Sequence, residues 1–183
     1  LRNGWEGIMK IDRTKPVEDQ HYCQILTEGN VQKIARTGGT FLHTSRTKPS
    51  KVPKEKVPEI LHDKYNADEN DLTDEIIKNL EFLGIEYLVP IGGDDTLSYG
   101  LRLHKAGVRC VGIPKTMDND VPGTDYCIGF STCVTRTIEY AHQLRTCAGS
   151  HERFLVIEVM GRYAGFTALV PAMAGASDRC LIP

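Results

Sequence analysis

The sequence predicts an α/β fold, built as a mainly parallel sheet with helices on both faces. Three observations predict it. Apolar runs of strand length recur at residues 86–91, 108–113 and 154–160. Beside them lie segments whose apolar residues fall at helical spacing, as at Ile76, Ile77, Leu80 and Leu83 ahead of the first run. Glycines follow these segments where a helix must stop or a strand must turn, as at Gly84, Gly92 and Gly107. Short apolar strands that alternate with helices give a parallel sheet covered on both sides.

The N-terminal third is weakly patterned. Residues 31–36 read as a short helix that stops at Gly38-Gly39, where glycine relieves the left-handed end position. Residues 44–59 are rich in Lys and Pro and read as a surface loop, because proline cannot donate to a ladder. Arg46 stands at the start of that loop. Asp71 or Thr73 caps the next helix, which ends at Gly84. A strand follows over 86–91, a helix over 96–105, and a second strand over 108–113. Residues 114–125 form a long loop, and residues 131–145 a third helix. Residues 154–160, F-L-V-I-E-V-M, read as a third strand, 165–173 as another helix, and 179–182 as the start of a fourth strand.

Bulk properties exclude several classes. Hydrophobic residues make up 40% of the 183, enough for a real core. The formal net charge of −2 offers no pull toward nucleic acid or an anionic membrane. The Lys-rich loop has no interleaved aromatics, which weakens a nucleic-acid reading further. No apolar run approaches the roughly 20 residues of a spanning helix. The first residues carry no signal-peptide pattern and no initiator Met, so the expectation is a chain whose start lies further upstream. The cysteines at 23, 110, 127, 133, 147 and 180 form no metal-binding spacing. They read as buried small hydrophobes in a reducing cytoplasm.

In a parallel sheet, ligands bind outside the carboxyl ends of the strands. Three polar segments directly follow strands. The first is Gly92-Gly93-Asp94-Asp95-Thr96. Paired glycines let the backbone approach a ligand, and the following helix start points N–H groups at an anion. Two carboxylates there suit a phosphate only with a cation between, and Asp94 as a Mg²⁺ ligand supplies one. The same residues also fit a plain turn with Asp95 capping the helix. The second segment is Pro114-Lys115-Thr116-Met117-Asp118-Asn119-Asp120. A carboxylate is a common acceptor of a hydroxyl proton in phosphoryl transfer, and a lysine neutralises the transferring group. Local turn chemistry explains D-N-D equally well. The third is Arg153 with Met160-Gly161-Arg162, where the planar guanidinium suits phosphate. Both arginines also fit a solvated strand flank.

Taken together, the ordered segments G-G-D-D-T (92–96), P-K-T-M-D-N-D-V-P-G-T-D (114–125), G-F-S-T (129–132) and E-V-M-G-R-Y-A-G (158–165) resemble the ATP- and pyrophosphate-dependent 6-phosphofructokinases. G-G-T-F-L-H-T-S-R-T (38–47) adds to the likeness, which is weakest over 48–68. The resemblance implies a three-layer fold with about 1–130 in the donor-binding part and about 131–183 opening the sugar-phosphate part. It implies that Asp94 binds Mg²⁺ and that Gly92, Gly93, Asp94, Asp95, Thr96 and Arg46 face the phosphoryl donor. Thr116, Met117 and Asp118 would meet fructose 6-phosphate, with Asp118 the base for its 1-hydroxyl and Asp120 supporting the loop. Met160, Gly161 and Arg162 would hold the sugar phosphate. Arg153 resembles the arginine that family members lend to a neighbouring subunit, which implies a homo-oligomer.

Two positions separate the donor classes. ATP-dependent bacterial relatives of this type usually carry glycine at the places of Asp95 and Lys115, and pyrophosphate-dependent ones Asp and Lys. A carboxylate at Asp95 repels the α-phosphate of ATP, and Lys115 stabilises charge on pyrophosphate as it leaves. The expected reaction is therefore phosphoryl transfer from pyrophosphate to fructose 6-phosphate, in glycolysis or gluconeogenesis. An ATP-dependent enzyme and a non-catalytic sugar-phosphate-binding subunit are the alternatives. The family's first glycine-rich phosphate loop and its C-terminal sugar-phosphate contacts are absent from the 183 residues. The resemblance thus implies an incomplete chain, inactive by itself.

Overall fold

The computed structural model describes residues 1–183 and combines six α-helices with seven short strands. The helices are α1 (Gly4–Met9), α2 (Glu28–Val31), α3 (Thr73–Phe82), α4 (Asp94–Lys105), α5 (Phe130–Ser150) and α6 (Phe166–Pro171). The strands are β1 (Val52–Pro53), β2 (Glu69–Asn70), β3 (Tyr87–Leu88), β4 (Ile91–Gly92), β5 (Arg109–Cys110), β6 (Ile113–Thr116) and β7 (Ile128–Gly129). The chain divides into one unit of Leu1–Pro90 with Ser98–Val111, and another of Ile91–Leu97 with Gly112–Pro183. No helix is long and apolar enough to cross a membrane.

The first unit holds the larger core. Of the predicted stripe on α3, Ile77 and Leu83 are half-buried, whereas Ile76 and Leu80, with Leu72 just before the helix, are fully buried. They pack with Trp5, Ile8, Tyr99 and Leu103. The N-cap is Leu72, without a side-chain bond, and not Asp71 or Thr73; Asp71, one residue earlier, makes a local turn by accepting from the Thr73 amide at 3.0 Å and its hydroxyl at 2.5 Å. Gly84 ends the helix at φ +65°, where the Ile85 amide closes back on the Leu80 carbonyl at 3.0 Å. Helix α1 went unpredicted although Trp5, Ile8 and Met9 are buried at helical spacing, because six residues are too few to show a period. One charge enters this core. Glu75 is 2% exposed and meets Lys64 at 2.5 Å, Arg13 at 2.8 Å and Lys78 at 3.4 Å. Burial pushes its carboxyl up, but the hydrogen bonds from Lys64 and Arg13 and the charges of Lys64 and Lys78 outweigh that and hold it at about 2.

In the second unit β4 runs parallel to β6, and β6 parallel to β7. Helices α5 and α6 pack together, with the Phe130 and Phe166 rings edge to face at 6.5 Å. In the first unit β3 pairs parallel with β5, while β1 and β2 form an antiparallel pair. Parallel pairing with flanking helices thus matches the predicted class.

Several details depart from expectation. The strand over 86–91 is interrupted at Val89-Pro90, because proline brings no N–H to the ladder. Helix α4 begins at Asp94, not Thr96, and residues 114–116 belong to strand β6, not to the loop. Residues 31–36 break into the end of α2 and a 3₁₀ turn at Ile34–Arg36. The Lys- and Pro-rich loop does contain a ladder, at Val52–Pro53. The largest departure is 154–160, which forms no strand. A strand requires a neighbour to satisfy its amides, and here Phe154 and Val156 are open to solvent. Residues 179–182 form no strand for the same reason. Of the cysteines only Cys127 is buried and Cys147 is exposed; all six are free thiols.

Candidate active site

The register of β4 on β6 places Gly92 beside Pro114. Both strands therefore release their polar loops at one sheet edge. The backbone of Gly93 lies against Thr116, where a β-carbon would sit 3.5 Å from the Thr116 Cβ. The Gly93 carbonyl accepts from the Thr96 and Leu97 amides at 3.0 Å each. That starts α4 with Asp94 and Asp95 in its first turn, both exposed. Carboxylates there face the positive end of the helix dipole. Gly92 is required by its neighbour, since a β-carbon would lie 2.6 Å from the Thr96 Cβ.

The second loop is pinned from inside. The Asp118 amide donates to the Thr116 hydroxyl at 3.1 Å. Asn119 takes a left-handed conformation, φ +55°, which Asn tolerates better than most residues. Its side chain accepts from the Cys127 amide at 2.8 Å and donates to the Asp125 carbonyl at 3.1 Å. Cys127 is buried, so this staple is anchored. Asp118 keeps 14% side-chain exposure and Asp120 29%. Met117 is half-buried and Lys115 exposed. Side chains alternate along β6, so Lys115 and Thr116 leave on opposite faces.

The third segment meets the second. Arg162 Nε lies 3.5 Å from Asp118 Oδ2, and its Nη2 lies 3.9 Å from Asp120 Oδ2. Arg162 has φ +38° and the preceding Gly161 φ +155°. The buried Thr167 hydroxyl donates to the Met160 carbonyl at 2.5 Å. Arg153 follows α5 and stays exposed, with its amide bound to the Ala148 carbonyl at 2.9 Å. Arg46 is an exposed residue of the first unit.

Within the second unit, then, Asp118, Asp120 and Arg162 come together, and Gly93 adjoins Thr116. The sequence pattern offered Asn119 only as turn chemistry within D-N-D, which its bonds to the Asp125 carbonyl and Cys127 amide bear out, and did not single out Thr167. The signal for Asn119 was present, because Asn between two acidic residues in a turn favours a left-handed conformation. Thr167 had no comparable signal. No group of three or more His, Cys, Asp or Glu side chains forms a ligand cluster. A divalent ion at the exposed Asp94 carboxylate would draw its other ligands from water and phosphate, which is the coordination Mg²⁺ prefers. The residues present fit that ion.

The phosphofructokinase family profile matches residues 1–183. The chain belongs to the phosphofructokinase family. It is 39% identical to a pyrophosphate–fructose 6-phosphate 1-phosphotransferase of Amycolatopsis mediterranei, over all of this chain and 46% of that protein. It is 41% identical to an ATP-dependent 6-phosphofructokinase of Bacillus subtilis, over all of this chain and 49% of that protein. Among solved structures, the phosphofructokinase of Saccharomyces cerevisiae aligns at a TM-score of 0.69 and 25% identity, covering 95% of this chain and 23% of that one. A pyrophosphate-dependent phosphofructokinase of Marinobacter aquaeolei aligns at 0.58 and 25% identity, covering 96% and 40%. The chain spans about half the length of the curated relatives it matches.

Proposed function

We propose that this chain supplies the donor-binding part, about residues 1–130, and the opening of the sugar-phosphate part, about 131–183, of a 6-phosphofructokinase that uses pyrophosphate. The observation that carries this reading is the approach of Arg162 to Asp118 and Asp120, 3.5 and 3.9 Å, on the loop whose Thr116 adjoins Gly93. It supports the reading because the residues proposed as base and as phosphate-binding cation are neighbours, on a loop that follows β6 beside Gly93.

In the proposed reaction, Asp118 accepts the proton of the fructose 6-phosphate 1-hydroxyl. The hydroxyl oxygen attacks the near phosphorus of pyrophosphate, the bridging P–O bond breaks, and phosphate leaves. Arg162, with the Met160-Gly161 backbone, holds the 6-phosphate, and Thr116 and Met117 line the sugar. Asp120 steadies Arg162 and the loop. Gly92, Gly93 and Thr96 let the donor approach the start of α4; a donor-phosphate role for Arg46 rests on the family resemblance alone. Mg²⁺ bound at Asp94 would neutralise the donor oxygens. Lys115 offsets charge on the leaving phosphate, and Asp95 disfavours the longer ATP chain. Arg153, exposed beyond α5, reaches the site of a neighbouring copy in a homo-oligomer. The cytoplasm is the proposed setting, where free thiols stay reduced.

The donor assignment rests on Asp95 and Lys115. Relatives named for either donor share similar identity with the chain, 39% and 41%, so the ATP-dependent reading stands as the second one. Steady-state assays of the protein at its relatives' length decide between them, with fructose 6-phosphate, Mg²⁺ and either pyrophosphate or ATP. Turnover with pyrophosphate alone is expected. Turnover with ATP alone would overturn the roles of Asp95 and Lys115, and silence with both would leave a non-catalytic sugar-phosphate binder.

A further inference from the structure

Thr167 lies outside every motif of the site, on α6, yet it is 1% exposed. Its hydroxyl faces two backbone features. It donates to the Met160 carbonyl at 2.5 Å. It also fills the space where a side chain on Gly161 would start, since a β-carbon there would lie 2.3 Å from the Thr167 Oγ1. The backbone it touches is unusual. Gly161 has φ +155° and Arg162 φ +38°, and a non-glycine residue at positive φ persists only when its surroundings hold it there.

Little else holds this turn. Residues 154–160 run into it without a sheet ladder. The Met160 carbonyl defines the plane of the peptide that joins residues 160 and 161, so a bond to that oxygen fixes the peptide's orientation. The next peptide is fixed by the Ala164 amide, which donates to the Gly161 carbonyl at 3.2 Å. Both planes that precede Arg162 are thereby set. The Arg162 side chain emerges from them to reach Asp118 and Asp120.

We propose that Thr167 is a positioning residue, whose hydroxyl, by holding the Met160 carbonyl, aims the Arg162 guanidinium at Asp118 and Asp120. The consequence for sugar-phosphate binding rests on the reading of Arg162 under Proposed function. Thr167→Val keeps the shape and removes the donor, whereas Thr167→Ser keeps the donor.

Two measurements test it. In the 183-residue chain, the Arg162 Nε–H resonance is assigned by its loss in Arg162→Lys and shown to report the ion pair by its shift in Asp118→Asn. Thr167→Val is expected to move that resonance to the position of a solvated arginine, and Thr167→Ser to leave it in place. In the protein at its relatives' length, Thr167→Val is expected to raise KM for fructose 6-phosphate about tenfold while kcat changes less than about threefold, the pattern of lost substrate binding. Thr167→Ser should restore KM. A resonance unmoved in Thr167→Val overturns the positioning role, whatever happens to KM. A moved resonance with no turnover by the parent protein supports positioning and instead defeats the functional reading. Should Thr167→Val fail to fold, Thr167→Cys, with similar volume and a weak donor, takes its place with the same expected outcomes.

Discussion

Arg162 Nε and Asp118 Oδ2 lie 3.5 Å apart, and the same guanidinium reaches Asp120 Oδ2 at 3.9 Å. One cation thus stands between two carboxylates where the proposed sugar phosphate arrives. On the proposed reading, a dianionic sugar phosphate would compete with Asp118 and Asp120 for that guanidinium. Asp118→Asn is expected to lower kcat by about 10²–10⁴ with little change in KM for fructose 6-phosphate. Steady-state kinetics at the relatives' length check this. Equal kcat in variant and parent would remove Asp118 from the role of base.

Donor choice makes a second prediction. Asp95 lies in the first turn of α4 and Lys115 on β6. On the proposed reading, replacing both by glycine would remove a carboxylate that repels ATP and a cation that favours pyrophosphate. The ratio of kcat/KM for ATP over pyrophosphate is expected to rise by at least about tenfold, roughly 1.4 kcal/mol of discrimination. Parallel assays with the two donors read it directly.

Acid should weaken the first unit through Glu75. Its folded carboxyl, at about 2, lies below the ordinary value of 4.5. A depressed carboxyl contributes stability that is fully present above the unfolded value and fades as pH falls toward the folded one. Chemical unfolding of the chain and of Glu75→Gln between pH 7 and 2 is expected to show the parent ahead by about 2 kcal/mol near neutrality, allowing for its half-exposed partners. That lead should shrink between pH 4.5 and 2. A lead that stays constant across this range would remove Glu75 as the titrating group.

Gly92 gives a packing prediction. A β-carbon there would lie 2.6 Å from the Thr96 Cβ, so Gly92→Ala must push the first turn of α4 away from β4. A loss of about 1–3 kcal/mol is expected, read as a lower urea midpoint with an unchanged slope. Gly93→Ala is milder, because the nearest atom to its new carbon stands 3.5 Å away.

What the sequence displayed was whatever one element decides by itself. The stripe of Ile76 and Leu80 and the stop at Gly84 place α3, because helical spacing and a left-handed end are local properties. The polar loops after β4 and β6 were visible for the same reason, and their meeting at Gly93 and Thr116 follows from parallel pairing. Properties that need a partner were hidden. The run F-L-V-I-E-V-M has strand composition, but composition supplies no neighbouring amides, and the segment stays unpaired. Thr167 looked like any helical threonine, since its bond to Met160 spans a turn of irregular backbone. Asn119 showed its turn preference but not its two partners, Cys127 and Asp125.

The left-handed backbone at Arg162, φ +38°, narrows what substitution can achieve there. The residues most at ease in that region are glycine, asparagine and aspartate, and none carries a positive charge. Those that carry one keep the backbone under tension. A library of variants at position 162 should therefore split along two opposed axes, with gains in thermal tolerance at glycine and asparagine and retained function among the cations.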